Sequence, residues 1–211
     1  MYQTLDTTTW KRRDVFQFFR KFDDPFFNVS ANVDVTRLFD FCKKNGLSFS
    51  LSSIYCSTRA IAHIEEFRLR LVGGEVRCYE VVHPSLTVLH DDETFSFCYL
   101  EMQDDLHRFV HLGRESVEQQ LRTRHLEPGD DVHDKLHYSI MPWVSFTAVK
   151  HARRFGREES VPKIVFGKIF AENGQWKMPV SVEANHALMD GLHVGRYFEL
   201  FQQELDVSST V

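Results

Sequence analysis

The chain has 211 residues, 43% hydrophobic and 26% charged, with a formal net charge of -5. That balance suits a single soluble domain over 1–211 with a sizeable core, and it excludes a globally basic binder of nucleic acid or anionic membranes. No apolar run approaches the ~20 residues of a membrane helix, MYQTLDTTTWKRRD lacks an apolar signal core, and the cysteines (Cys42, Cys56, Cys78, Cys98) form no Cys-x-x-Cys, so a cytoplasmic protein with reduced, buried thiols is expected.

From Thr9, TWKRRDVFQFFRKF sets Phe16, Phe19 and Phe22 on one side of a short helix. In FFNVSANVDV, Phe27, Val29, Ala31 and Val33 alternate with polar residues, the period of a half-buried strand. A helix is expected from about Val35 to Lys44, stopped at Asn45-Gly46, and another from about Ser50 to Glu66. Strands dominate next. RLRLV-GG-EVRCYE reads as a hairpin turning at Gly73-Gly74, and SLTVLH-DDE-TFSFCYLE as a second pair. A helix from about Asp104 to Arg124 is followed by the loop EPGDDVHD and by LHYSIMPWVSF, a strand running into a Pro-Trp corner. PKIVFGKIFAENGQWKMPVSVEAN is a long hairpin tipped by Asn173-Gly174. The last helix opens after Asp190-Gly191 with Val194, Tyr197, Phe198, Phe201 and Leu205 as its apolar stripe. There is no repeat, low-complexity tract or linker. The order predicts an α/β (α+β) fold, a mixed, mostly antiparallel sheet covered by helices.

The stretch ANHALMDGLHV places His186 between the last strand and the last helix, where loops often carry function on a rigid scaffold. Asp190 falls at the helix start, where a carboxylate meets free N–H groups, so helix capping is one role for it. Spacing alone leaves His186 either a base or a structural histidine. Ser139 and Lys168 read alone are ordinary strand residues, and single phenylalanines among the 19 are core packing. His107 with His111, and His133 with His137, have i, i+4 spacing but no third ligand, so both pairs read as surface histidines and no metal is expected. No glycine-rich phosphate loop is present.

Several segments, in order along nearly the whole chain, resemble the chloramphenicol acetyltransferase family. TWKRRDVFQFF is similar to its Trp-x-Arg-Arg segment, DETFSF to its Glu-Thr-Phe-Ser strand, YSIMPWVSF to its Ser-x-x-Pro-Trp-Val strand and ANHALMDGLHV to its His-His-x-x-x-Asp-Gly-x-His-Val signature. The resemblance implies a two-layer α/β sandwich, a homotrimer with active sites between subunits, and acetyl transfer from acetyl-CoA, a co-substrate and not a tightly bound cofactor, to a hydroxyl of a small acceptor such as chloramphenicol. It implies that His186 is the general base, that Ser139 stabilises the oxyanion, and that Asp190 pairs with Arg12 to hold the loop. It sets Phe18, Phe19, Phe27 and Phe95 on or near the acceptor lining and Lys168 near the phosphates of acetyl-CoA.

The chain departs from the family pattern mainly at binding positions. Asn185 stands for the first histidine of the signature, Glu183 for a glutamine, Leu192 for an aromatic, Phe19 for a tyrosine, Val165 for a threonine and Ile169 for a tyrosine. Phe97 fills a position that is small in the family, and DDPFF places acid where a neutral antibiotic would lie. Two other roles fit these changes: an acyltransferase for a different hydroxyl acceptor, and a non-catalytic trimeric relative that binds a ligand.

Overall fold

The computed structural model describes residues 1–126, 133–153 and 158–207. In chain order the elements are β1 (Tyr2–Leu5), α1 (Arg13–Phe19), β2 (Phe26–Asp34), α2 (Thr36–Asn45), α3 (Phe49–Ala62), a 3-10 turn (Glu65–Arg68), β3 (Leu69–Val72), β4 (Glu75–Tyr79), β5 (His83–Leu89) and β6 (Phe95–Tyr99). There follow α4 (Leu106–Thr123), β7 (Lys135–Met141), β8 (Lys163–Gly167), β9 (Phe170–Glu172), β10 (Gln175–Asn185) and α5 (Gly191–Val207). Of the expected loop EPGDDVHD, residues 127–132 lie outside the described ones.

A 7-stranded sheet runs β2-β10-β8-β7-β5-β6, with β9 beside the start of β10. The β5–β7 and β7–β8 pairings are parallel and the others antiparallel, the mixed and mainly antiparallel α/β sheet that the sequence predicts. Helices α2 to α5 pack on one face of it. Along β7, Leu136 and Tyr138 are buried under the helices, so His137, Ser139 and Met141 point to the opposite face. On β10, Val180, Val182 and Ala184 join the helical core. Ser181, Glu183 and Asn185 therefore share the face of Ser139. Residues 144–153 run against part of this second face. Gly167 makes the crossing possible, since a Cβ there would sit 2.9 Å from Phe146 Cε1.

Both predicted two-residue turns form with positive φ at both positions, Gly73-Gly74 at 59° and 83° and Asn173-Gly174 at 52° and 78°. Gly46 closes α2 at φ 65°. Three expectations are corrected. The Gly73-Gly74 hairpin belongs to a separate 3-stranded sheet, order β1-β4-β3, completed by a four-residue N-terminal strand too short and exposed to show a pattern. The helix from Ser50 ends at Ala62, not Glu66, because the chain turns to bury Ile64 and Phe67. Phe22 lies beyond α1 and is 46% exposed, so the phenylalanine stripe ends at Phe19.

Two polar devices fix β7. Arg70 on β3 is fully buried and donates to the carbonyls of Phe67, Leu69, His133 and Lys135 at 2.7–2.8 Å. Burial pulls its guanidinium down to about 10, still charged at neutral pH. On the helical face, Ser57 Oγ bonds the Tyr138 hydroxyl at 2.9 Å and the Tyr197 hydroxyl at 2.8 Å, tying α3, β7 and α5 together. Ser57→Ala removes the hydroxyl both tyrosines share. It is expected to lower unfolding stability by about 1–3 kcal/mol, read as an earlier urea midpoint with unchanged slope. An unshifted midpoint would show that the buried hydroxyls re-pair.

Candidate active site

His186 follows β10 immediately. Its backbone N donates to Pro25 O at 2.7 Å, which fastens the loop to the chain entering β2. Its imidazole stacks on Phe19, centroids 4.0 Å apart and planes 5° apart, and leans on Phe27 at 4.6 Å. The ring is half-buried, and among the described residues its buried Nδ1 has no hydrogen-bond partner. Asn185 shapes the turn. Its Oδ1 accepts from Ala187 N at 2.9 Å, its Nδ2 donates to Glu159 O at 3.0 Å, and its backbone O accepts from Leu188 N and Met189 N. An asparagine thus supplies one donor and one acceptor that a histidine could also supply, without titrating.

Beyond the turn, Arg12 Nη1 lies 2.5 Å from Asp190 Oδ2, so the N-terminal segment grips the start of α5. Asp190 Oδ1 also accepts from Leu192 N at 3.1 Å, as a capping carboxylate does. Burial pushes the Asp190 carboxyl up, but the Arg12 hydrogen bond, the His193 and Arg12 charges and the Leu192 N–H outweigh it, and the net position is below the ordinary carboxylate value. His193 extends the chain of contacts. Asp190 N donates to its Nδ1 at 3.1 Å, and its Nε2 lies 3.1 Å from Glu66 Oε1. Arg12, His193 and Glu66 are all buried. His193 stands in the quoted stretch, yet its partner Glu66 is so distant in sequence that no spacing rule connects them.

Ser139 sits elsewhere in the chain. It pairs with Val165 on β8, and Val165 pairs with Ser181 on β10, five residues before His186. Two strand spacings across and five residues along put Ser139 and His186 on the order of 20 Å apart within one chain. Phe95 is likewise separate. It lies on β6, the edge opposite β2, and is 50% exposed. Phe18, 60% exposed, and Phe19 and Phe27, half-buried, are on the His186 side, with the Phe18 and Phe19 rings 5.1 Å apart. Within one chain the residues around His186 and those around Ser139 and Phe95 therefore form two separate groups.

Lys168 is exposed in the break between β8 and β9, where its N donates to Val144 O at 2.9 Å. It lines a cleft of about 290 Å³ with Phe49, Ile140, Pro142, Ile169 and Met178 among its walls. The cleft opens at the end of β7 just past Ser139. Val165, beside Ser139, is fully buried and offers no hydroxyl.

Of the two acids in DDPFF, Asp23 is exposed and Asp24 is half-buried among cations. Asp24 lies 3.2 Å from both Arg153 Nε and Lys150 Nζ, so its carboxylate is paired and not presented bare to an acceptor. Arg153 is buried, stacks over the Phe26 ring and pairs with Glu183. Burial pushes the Glu183 carboxyl up, but hydrogen bonds from His151 and the Arg153 and His151 charges hold it below its ordinary value. Lys163 pairs with Glu159 in the same patch. The departure at Glu183 thus comes with its own counter-ion, which sequence spacing had no way to show. His107 and His111 are exposed on α4, and among the described residues no group of three or more His, Cys, Asp and Glu is arranged to hold a metal ion.

A family model described as chloramphenicol acetyltransferase matches residues 1–202. A chloramphenicol acetyltransferase of Klebsiella sp is 30% identical over 206 residues, 97% of this chain and 94% of that protein. Chloramphenicol acetyltransferase 2 of Escherichia coli is 30% identical over 208 residues, covering 97% of each. Among solved structures, a chloramphenicol acetyltransferase superposes with TM-score 0.86 at 22% identity, over 97% of this chain and all of the other. A dihydrolipoamide acetyltransferase of Azotobacter vinelandii shares the fold at TM-score 0.66 and 15% identity, over 92% and 86% of the two chains. With a match that runs almost from end to end, this acyltransferase belongs to the chloramphenicol acetyltransferase family.

Proposed function

We propose that the protein transfers an acetyl group from acetyl-CoA to a hydroxyl of a small acceptor of the chloramphenicol type, at sites built between copies of the chain in a homotrimer. The observation that carries this reading is the placement of His186. The ring is stacked flat on Phe19 and held by Pro25 O through its backbone, while Nδ1 is sealed, which leaves Nε2 as the nitrogen that can receive a proton. Ser139 is out of reach in the same chain, so the base of one copy must meet the serine of the next. The exposure of Phe95 at the far sheet edge supports this, since a heterologous contact repeated around a ring joins unlike edges.

In such a site His186 takes the acceptor hydroxyl's proton as that oxygen attacks the acetyl carbonyl carbon. The Ser139 hydroxyl donates to the oxyanion of the tetrahedral intermediate, a single donor whose removal costs ~3–4 kcal/mol in comparable sites. The C–S bond then breaks, the acetyl ester forms, and the imidazolium returns its proton to the leaving thiolate. The cleft beside Lys168 suits acetyl-CoA. Its apolar walls fit the extended arm, and the lysine at the mouth fits a phosphate. Arg12 and Asp190 hold the loop and touch no reacting atom.

His186→Ala is expected to lower kcat by about 10²–10⁴-fold with chloramphenicol as the first acceptor assayed, followed as thiol release from acetyl-CoA. Wild-type rates in the variant would remove His186 as base. A chain that sediments as a monomer while retaining full activity would remove the shared site.

Arg12→Met leaves Asp190 without its cation and is expected to cost about 2 kcal/mol of stability at pH 7. Because the folded Asp190 carboxyl lies below its ordinary 3.8, its contribution is full above about pH 4 and is lost as pH falls through the lower, folded value. Acid titration of wild type against Asp190→Asn should diverge least below that range. Parallel curves from pH 7 down to pH 2 would count against the pair.

A further inference from the structure

Arg153 stands where three segments of the chain meet beside His186. Only 6% of its side chain is exposed. It pairs with Glu183, two residues before Asn185 on β10. Its Nη1 lies 3.8 Å from Glu159 Oε2, and the backbone O of Glu159 accepts from Asn185 Nδ2 at 3.0 Å. Its Nε lies 3.2 Å from Asp24 Oδ1, and its Cζ sits over the Phe26 ring, 3.2 Å from the centroid. A planar guanidinium can pair along its edge and stack on its face at once.

Asp24 and Phe26 flank Pro25. The same Asp24 Oδ1 accepts from Phe26 N at 3.4 Å, which bends the chain around the proline. At this bend the Pro25 carbonyl accepts from His186 N at 2.7 Å. One guanidinium therefore holds both neighbours of the residue that fastens His186, Asp24 by charge and Phe26 through its ring face. The pyrrolidine ring already fixes φ at Pro25, so with both neighbours held its carbonyl keeps one direction. Lys150, the other cation at Asp24, is 75% exposed and holds it weakly. None of the residues that Arg153 meets lines the cleft beside Lys168.

We propose that Arg153 is a positioning residue for acetyl transfer. By clamping Asp24 and Phe26 it aims the Pro25 carbonyl at His186 N, and so sets where the imidazole stands. It acts through that backbone contact and touches no reacting atom. The assignment rests on reading His186 as the base and fails with it, but it also fails separately.

The test compares wild type, Arg153→Met and the double variant Arg153→Met/Glu183→Gln in the full chain, with acetyl-CoA and chloramphenicol. Arg153→Met strands the buried Glu183 carboxylate, so an earlier urea midpoint is expected from it whatever happens at His186. The double variant removes that charge and should recover most of the midpoint. It also carries the test by itself if Arg153→Met does not fold. An arginine with a purely structural role would regain its rate along with its stability. With Arg153 as a positioning residue, kcat of the double variant stays at least about tenfold below wild type. KM for acetyl-CoA stays within about twofold of wild type, since the cleft is untouched. Hydrogen exchange followed by mass spectrometry reads the fastening directly. The His186 amide should exchange at least about tenfold faster in the double variant, with α3 amides unchanged. A wild-type kcat in the double variant, a loss carried by KM alone, or unchanged exchange at His186 overturns the assignment of Arg153 and leaves His186 as base. Absence of thiol release by the wild type overturns the acetyl-transfer reading and the assignment with it.

Discussion

Strand β10 is hydrogen-bonded on both sides, to β2 over nine residue pairs and to β8 over four, and the site depends on that double pairing. Side chains alternate along a strand, so a fixed register decides which residues face the helices and which face away. Here it sends Val180, Val182 and Ala184 into the core and Ser181, Glu183 and Asn185 to the other face. It also decides where the strand ends, and so where His186 emerges. A slip of one residue would exchange the faces and bury the wrong set. The two-residue turn at Asn173-Gly174 and the closing turn built on Asn185 hold the register at both ends.

The second face carries charge where a sheet face would ordinarily be apolar or bare. Burying Arg153 and Glu183 has a desolvation cost, which close pairing and added hydrogen bonds offset in part. The same guanidinium reaches Asp24 and covers Phe26, and the next residue, Pro25, accepts from His186. The ionic patch thereby supports the loop bearing His186 from beneath, while Arg12, Asp190, His193 and Glu66 support it from the α5 side. Both sets of contacts immobilise the backbone and leave the imidazole resting on aromatic rings. A histidine held by its backbone and by stacking keeps a defined position without spending a ring nitrogen on a structural bond.

Local patterns were legible wherever the chemistry was local. The alternation in FFNVSANVDV, the glycine turns and the stripe of α5 each follow from a few neighbouring residues, and each forms as expected. The strand Tyr2–Leu5 had no such pattern, because an exposed four-residue strand exists only where another edge receives it. The helix after Ser50 was overrun for a related reason, since its end is set by where Phe67 is buried and not by a breaker in the sequence. The pairing of Asp24 in DDPFF with Arg153 was out of reach of any local pattern, because Arg153 lies far along the chain.

The sequence alone determined the element types, the family-like order of motifs and the position of His186 in a strand-to-helix turn, because propensity, turn chemistry and periodicity act over a few residues. Tertiary structure decided that His186 and Ser139 lie on separate parts of one sheet, that Glu183 and Asp24 share a guanidinium, and that His193 bridges Asp190 and Glu66. Those relations depend on strand order and on contacts between residues distant along the chain, and no local rule encodes either.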